Sequence, residues 1–405
     1  MFAASDLRTI WKEKGRVRTC RFVQEGIEKG DFSPYDFSLR DMAEQLIPDG
    51  HEFVARLDPR RKSHITEDAA SVDTSAFSSI NRQIVSSAIN EAMQLDTLIG
   101  DQLCTVMPSN NQEDELIPGI TVDADDNQGE IGEGQEYPLA GMAEEKVRIP
   151  RAEKHGKILG ITKEAIIADR TGILLERART IGESLAIRRE KAIIDVMIGG
   201  INPYVRNDLA RNTYANIAGT SYFDNIITNA LVNYTDIQAA AALWNAMSEP
   251  NIGEPLTHDP DTLIVCPTLS WTAGAILTDV GVTLQQALVR ATAPDAMEIA
   301  SSGGNRIPWK LKLLTNEWVT RRLIHHNGNG GLTSGTRDLA EAHWFIGKPT
   351  KAFVWKQIWP LLVEESPRND EAMFQADVVT RFKVSYKGIG GVREPRYMIR
   401  SDGTA

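Results

Sequence analysis

Apolar residues recur at helical spacing between residues 161 and 200 and predict the longest helix of the chain. One face is formed by Leu174, Ala178, Ile181, Leu185, Ala192 and Val196, at steps of four, three and seven. The charged surface is assigned to Glu176, Arg177, Glu183, Arg188, Arg189, Glu190 and Lys191. Asp169 or Thr171 would cap the start, and the pair Gly199–Gly200 would end the helix. A helix of roughly 40 Å suits a rigid beam, but also an amphipathic helix of a large enzyme.

The pattern before this helix changes to period two and predicts an extended two-stranded arm. Ile117 to Val122 is expected to be a short outgoing strand. On the way back, Val147, Ile149 and Ala152 alternate loosely with basic residues. A lone two-stranded hairpin is only marginally stable in water. We therefore expect the arm to rest on another surface, namely that of a second copy of the protein.

Every charged side chain between residues 113 and 145 is acidic, so this arm is the most charge-biased part of the chain. Dense like charges repel one another, which favours an extended arm that a basic neighbouring surface would order. A solvated acidic loop is one alternative. A calcium site at Asp123, Asp125 and Asp126 is another, although the glycine and terminal glutamate of an EF-hand fall at the wrong offsets.

The second half of the chain mixes helices with strands, which places the protein in the α+β class. Within residues 201–338 the pattern predicts helices at Ile237–Met247 and Leu269–Leu277, and strands at Thr262–Val265 and Leu311–Leu314. Residues 325–338 are expected to form a glycine-rich surface loop. After residue 339 a series of strands is expected to form an antiparallel meander: Ala342–Ile346, Lys351–Trp359, Leu361–Glu365, Phe374–Tyr386 and Arg396–Arg400.

Composition narrows the functional classes. The chain has 405 residues, of which 42% are hydrophobic, and a formal net charge of -11. Such an acidic chain gains little from counterion release on DNA, so only weak, non-specific contact with DNA is expected. No apolar run is long enough to span a bilayer, and no secretory signal is recognisable. Cys20, Cys104 and Cys266 are odd in number and widely spaced, which fits reduced thiols.

Catalytic signatures are missing from the sequence. It contains no nucleophile elbow, Walker loop, H-E-x-x-H or C-x-x-C motif. The adjacent His325 and His326 are assigned to a surface loop, and His155, His258 and His343 lack carboxylate or cysteine partners at informative spacing. We predict no catalytic, cofactor-binding or metal site. The alternative, an α/β metabolic enzyme, would need a convergent polar site.

The order of these parts resembles the major capsid protein of tailed bacteriophages with the HK97 fold. Residues 117–166 resemble its extended loop, 171–200 its spine helix, 262–277 an axial-domain strand and helix, and 374–400 its closing strand. The resemblance covers roughly residues 75–400. It implies an N-terminal extension at 1–75, a helical lead-in at 76–112, an extended loop at 113–160, a peripheral domain at 161–200 and 339–405, and an axial domain at 201–338.

The resemblance also implies function. The protein would self-assemble as hexamers and pentamers into the icosahedral shell that encloses phage DNA, in the host cytoplasm, with portal, scaffold or decoration proteins as further partners. An encapsulin-type nanocompartment shares the fold, but encapsulins are generally shorter and lack the N-terminal extension. Some members lock the shell through a lysine of the extended loop. No lysine occurs between Glu113 and Glu145, so we expect a shell without this isopeptide crosslink.

The charge bias of the arm suggests how neighbouring copies meet. We expect its acidic tip, represented by Glu130, Glu133 and Glu136, to dock near basic residues of an adjacent subunit. The candidates on the predicted long helix are Arg177, Arg188, Arg189 and Lys191. Each exposed pair contributes about 0–1 kcal/mol, but contacts repeated around a closed shell add up.

Overall fold

The fold was determined as a computed structural model. It describes residues 98–119, 146–162, 173–216, 223–247, 258–278, 309–329, 335–365 and 378–403, together with the single residues 25, 29, 88, 89, 91, 133 and 307. The predicted N-terminal extension apart from Glu25 and Lys29, the two candidate N-caps of the long helix and most of the acidic arm lie outside the described residues. No helix within these ranges is both long and apolar enough to cross a bilayer.

The chain divides into two compact units. The first comprises Met1–Asp96, Lys154–Arg188 and Trp359–Lys387, and the second comprises Thr97–Glu153, Arg189–Ile358 and Gly388–Ala405. The long helix and two long strands run through both units. The five-part division drawn from the sequence remains a prediction.

The described helices are labelled in chain order. They are α1 (Gly100–Leu103), α2 (Ile173–Met197), α3 (Tyr234–Ala246), α4 (Ser270–Thr278), α5 (Glu317–His325), α6 (Arg337–Glu341) and α7 (Pro349–Ala352). Two short 3₁₀ turns occupy Pro267–Leu269 and Pro395–Tyr397. The α3 and α4 helices confirm the predictions for residues 237–247 and 269–277. The α5 helix lies partly where a surface loop was expected.

The strands are also numbered along the chain. They are β1 (Thr105–Pro108), β2 (Glu115–Pro118), β3 (Lys146–Ile149), β4 (Glu153–Thr162), β5 (Val205–Arg206), β6 (Leu209–Ala210), β7 (Ile226–Ile227), β8 (Thr262–Val265), β9 (Lys312–Thr315), β10 (Trp344–Gly347), β11 (Phe353–Glu365), β12 (Val378–Val392) and β13 (Met398–Ser401). Together with the helices they confirm the predicted α+β class. The outgoing arm strand begins at Glu115, two residues earlier than predicted.

The α2 helix confirms the predicted beam. Its 25 residues correspond to roughly 37 Å. Ala178, Leu185 and Val196 of the predicted apolar face are buried. The helix ends where the glycine pair was expected, because Gly199 adopts a φ of +75° and donates its N–H to the Val196 carbonyl at 3.1 Å.

The core of the second unit is a five-stranded sheet with the order β7-β13-β10-β8-β9. The β10 strand pairs antiparallel with both β13 and β8, whereas β9 pairs parallel with β8 and β7 parallel with β13. All residues of β8, β10 and β13 are buried. The predicted C-terminal meander is therefore wrong for β10 and β13, because these buried strands pair within a mixed sheet whose central strand is β10.

The two long strands differ from their predicted bounds. The β11 strand runs without interruption through Pro360 to Glu365, where two separate strands were expected. The β12 strand continues to Val392 through the glycines that were expected to end it. A Cβ atom on Gly388 would lie 2.8 Å from the Lys356 carbonyl and from the Trp355 ring. Glycine at this position permits a close approach of β12 to the neighbouring strand β11.

Candidate assembly interface

The base of the acidic arm is an antiparallel strand pair. Leu116 of β2 lies opposite Arg148 of β3, and Ile117 lies opposite Val147. Val147 and Ile149 are buried, whereas Leu116 is 58% exposed. The alternation along β3 therefore sends its apolar side chains into the protein, as the period-two pattern predicted.

A second hairpin of the same chain completes this base. The β3 strand pairs with β5, and β5 with β6, so the four-stranded order is β2-β3-β5-β6. Asn207 and Asp208 have positive φ values, as a tight turn between two short strands requires. Asn207 exchanges hydrogen bonds with the backbone of Lys146, and Asp208 forms an ion pair with Arg148. The expectation that the arm rests on a second copy is thus wrong for its base, which is paired within its own chain.

A buried lysine fixes the segment where the chain enters the arm. The Lys356 side chain on β11 is fully buried and donates to the Glu113 carbonyl at 2.7 Å. Its Nζ atom also lies 3.2 Å from the Glu115 carboxylate, which accepts from the Ser109 hydroxyl at 2.6 Å. A buried ammonium requires such partners, because burial without them costs several kcal/mol. Sequence patterns missed this contact, since Lys356 and Glu115 lie far apart in the chain.

The tip of the arm is described at one residue. Glu133 is an exposed turn residue. Glu130, Glu136 and the three aspartates considered for calcium fall outside the described residues. Within the part of the chain that the structure describes, no three His, Cys, Asp or Glu side chains are grouped as a metal site would require.

The four basic candidates on α2 divide into two pairs. Arg177 and Arg188 are exposed, and the Arg188 Nε donates to the His155 Nδ1 at 3.0 Å. Arg189 is only 23% exposed and is bound 2.5 Å from Asp101, with its guanidinium 5.4 Å from the centre of the Trp355 ring. The Lys191 Nζ lies 4.2 Å above the Trp318 ring. Arg189 and Lys191 are therefore held within their own chain.

Glu190 was assigned to the charged surface, and this prediction is wrong because the side chain is 3% exposed. Its carboxylate accepts from the backbone N–H groups of Ile99 at 2.9 Å and Gly100 at 2.8 Å. The Asn316 amide donates a third hydrogen bond at 3.1 Å. Burial raises the pKa of Glu190 above its usual value, although the two backbone donors oppose this shift. Glu190 thus joins α2 to α1 and to the N-cap of α5.

A second buried carboxylate lies near the end of the same helix. Arg322 forms a bidentate salt bridge with Asp195, in which its Nε and Nη2 atoms donate to the two carboxylate oxygens at 2.5 and 2.6 Å. The His326 Nε2 lies 3.1 Å from Asp195. Burial lowers the pKa of His326, and this effect outweighs the opposing attraction of Asp195. His326 is 8% exposed, so its assignment to a surface loop is wrong.

Comparison with known proteins identifies the family of this chain. The phage capsid protein family matches residues 145–401, which is more than half of the chain. The chain belongs to the phage capsid protein family. This membership confirms the predicted structural capsid protein of a phage, and it places the protein in the capsid of the virion. A capsid protein acts by associating with copies of itself into a shell.

Several solved structures resemble this capsid protein. The capsid of cyanophage P-SCSP1u is 14% identical, with a TM-score of 0.42 over 76% of this chain and 88% of that chain. A structure of Mycobacterium phage Ogopogo is 17% identical, with a TM-score of 0.41 over 76% and 93%. A virus-like particle from Pyrococcus furiosus is 12% identical, with a TM-score of 0.39 over 78% and 97%. These likenesses are too loose to carry an argument, so the assignment rests on the family match. A comparison with curated proteins finds no match.

Proposed function

We propose that this capsid protein assembles in the host cytoplasm, as hexamers and pentamers, into a closed icosahedral shell that encloses phage DNA. The family match over residues 145–401 is the observation that carries the proposal. Closed symmetry limits the growth of identical subunits to a shell. Portal, scaffold or decoration proteins are expected partners, and contact with packaged DNA is expected to be weak because the chain is strongly acidic.

The acidic arm is proposed to link neighbouring copies within this shell. Its base is anchored by β5 and by Lys356, which supports a fixed point of departure for residues 119–145. The tip would then dock through Glu130, Glu133 and Glu136 on basic residues of an adjacent copy. Arg177 and Arg188 are the preferred partners because both are exposed, whereas Arg189 and Lys191 are only partly exposed and lie against tryptophan rings of their own chain.

Reversing the charge of the tip tests this docking. We expect Glu133→Lys with Glu136→Lys to reduce the yield of shells seen by electron microscopy and sedimentation. A matched control reverses two exposed acids outside the arm, Glu25→Lys with Glu91→Lys, which changes the net charge by the same amount. Unchanged assembly of the tip variant would reject the docking, while small particles alone from the wild-type protein would reject the shell.

The predicted absence of a crosslink has a separate test. Shells denatured in detergent should migrate on a gel as single chains, because the arm between Glu113 and Glu145 contains no lysine. A ladder of covalent multimers would overturn this expectation.

A further inference from the structure

Trp271 is far more exposed than an aromatic side chain of its size normally is. It lies in the first turn of α4 with 88% of its surface exposed. Ala273, on another face of the same helix, is completely buried and fixes α4 to the protein. Tryptophan is strongly enriched among the residues that contribute most binding energy at protein interfaces. An almost fully exposed indole on a fixed helix is therefore a candidate contact for another molecule.

Further exposed apolar residues lie on α4 and on the helices α6 and α5. The preceding 3₁₀ turn contacts α6, and α6 contacts α5. Leu339 on α6 and Ile324 on α5 are each 38% exposed, and Ala275 is exposed one helical turn after Trp271. A Cβ atom added to Gly274 would meet nothing within 4 Å. We call the surface of α4 formed by Trp271, Gly274 and Ala275 the Trp271 patch.

The neighbouring helices α6 and α5 carry charged side chains in pairs of opposite sign. Arg337 bonds to Glu341 at 2.5 Å on α6, and Arg321 bonds to Glu317 at 3.2 Å on α5. An apolar centre with a polar rim is the usual anatomy of a protein interface. Helices that carry both signs can face the same helices of an identical chain without net repulsion, which favours a copy of the same protein over a strongly charged partner.

The local fold does not depend on the indole. The Cys266 thiol donates to the Ala340 carbonyl at 3.3 Å and ties the end of β8 to α6. The Ser270 hydroxyl donates to the Pro267 carbonyl at 2.7 Å at the start of α4. Ala273 and Leu323 fill the interior beneath. Removal of the Trp271 side chain should therefore leave α4 in place.

We propose that the Trp271 patch is a contact surface for a second copy of this chain in the assembled shell. The patch lies outside the arm and α2, so it would be a contact separate from the arm docking. The occupant follows from family membership, because a capsid protein packs against its own copies, and from the paired opposite charges of α5 and α6. The inference rests on the proposed shell function and adds a specific surface to it.

The first test removes the indole. In the full chain, Trp271→Ala should lower the yield of shells at least tenfold, measured by sedimentation and electron microscopy, with an unchanged melting temperature. The matched control is Val232→Ala, which shortens another apolar side chain that is 67% exposed but lies outside the patch. Equal shell yields from Trp271→Ala and the wild type would overturn the proposal.

A second test measures burial directly and does not depend on assembly yield. Acrylamide quenching of tryptophan fluorescence is compared between unassembled and assembled protein, for the wild type and for Trp271→Phe. If a second copy covers the patch, assembly should reduce acrylamide quenching more in the wild type than in Trp271→Phe, because only the wild type has an indole that becomes buried at this position. Equal protection in both proteins would overturn the proposal, even if Trp271→Ala proved unable to fold.

The two interfaces can be told apart by their variants. Loss of shells in Trp271→Ala with normal shells in Glu133→Lys/Glu136→Lys would support the patch and reject the arm docking. The opposite pattern would reject the patch alone. If the wild type formed no shells, concentration-dependent self-association in the ultracentrifuge would decide, and an equal tendency in Trp271→Ala would reject the patch.

Discussion

The two parts of the α2 helix use their charged residues in different ways. Between Ile173 and Arg188, the carboxylate of Glu183 pairs with Arg179 at 2.9 Å on the surface, one turn away in the same helix. Between Arg189 and Met197, the carboxylates of Glu190 and Asp195 are buried. Their partners come from segments about ninety or more residues away in the chain.

This difference separates surface available for a partner from surface used by the fold. Exposed ion pairs within a helix contribute little to stability, and their side chains can exchange partners. Buried carboxylates with several donors fix the positions of the elements that supply those donors. The first part of α2 can therefore offer Arg177 and Arg188 to another copy, whereas the second part holds α1 and α5 in place.

The largest expected effect comes from Asp195→Ala, which would leave Arg322 without its buried partner. Breaking one side of such a pair costs about 3–5 kcal/mol of the free energy of unfolding. Denaturant unfolding measures this loss. The matched control is Glu183→Ala, which removes a carboxylate from an exposed Arg pair on the same helix and should cost less than about 0.5 kcal/mol. Similar losses of unfolding free energy for Asp195→Ala and Glu183→Ala would contradict the distinction between the two parts of α2.

The next largest loss of stability is expected for Glu190→Ala. This substitution removes the hydrogen-bond acceptor of the Ile99 and Gly100 N–H groups and of the Asn316 amide. Because each unsatisfied buried donor costs roughly 1–3 kcal/mol and water can enter the space, we expect a loss of about 2–3 kcal/mol. Denaturant unfolding measures this change too.

The Glu190→Gln variant sharpens that experiment. Since burial raises the pKa of Glu190, ionising this carboxyl disfavours the folded state. The stability it contributes is fully present below the unfolded pKa of about 4.5 and is lost as pH rises through the folded value. Relative to the wild type, Glu190→Gln should therefore gain stability as the pH is raised from 4 to 7. A constant difference across this range would contradict the assignment.

A smaller effect of opposite sign is expected for His326. Burial lowers its folded pKa below 6.5, so the unfolded chain takes up a proton first as the pH falls. The stability it contributes is present above pH 6.5 and is lost as the pH falls below that value. Thermal unfolding of the wild type and His326→Gln across this range measures the difference. Identical profiles would show that His326 is not the titrating group.

The smallest effects on folding are expected at the exposed cations. Arg177→Glu should change the free energy of unfolding by less than about 0.5 kcal/mol, yet reduce shell yield if the arm docks there. Lys191→Glu should instead lower stability by about 1 kcal/mol, because it removes the cation above Trp318. Normal shells from Arg177→Glu would remove this residue from the docking surface.

Local patterns predicted the regular elements well. The apolar period of α2 and the glycine pair after it marked the beam and its end, and the buried run Thr262–Val265 marked β8. The alternation of Val147 and Ile149 indicated which face of β3 is buried. These signals succeed because a helix or strand repeats its geometry within a few residues.

Pairing between distant segments was not predicted. The predicted meander was wrong for β10 and β13 because the period-two alternation of a strand does not specify which other strand pairs with it. The sequence did not predict that β5 and β6 of the same chain pair with the arm base. Each of these strands has only two residues, which is too few for a recognisable period. Glu190 and Lys356 look like surface residues in the sequence, since only their distant donors and acceptors permit their burial.

The sequence by itself determined the long helix, the acidic arm, the α+β class and, through the order of these parts, the resemblance to a phage capsid protein. Only the tertiary structure decided that Glu190 and Asp195 are interior groups, that the arm is anchored by its own chain, and that Trp271 is left bare. The physical reason is that periodicity reports which face of an element is apolar. The burial of a charge or the exposure of an indole depends on which distant segments pack beside it.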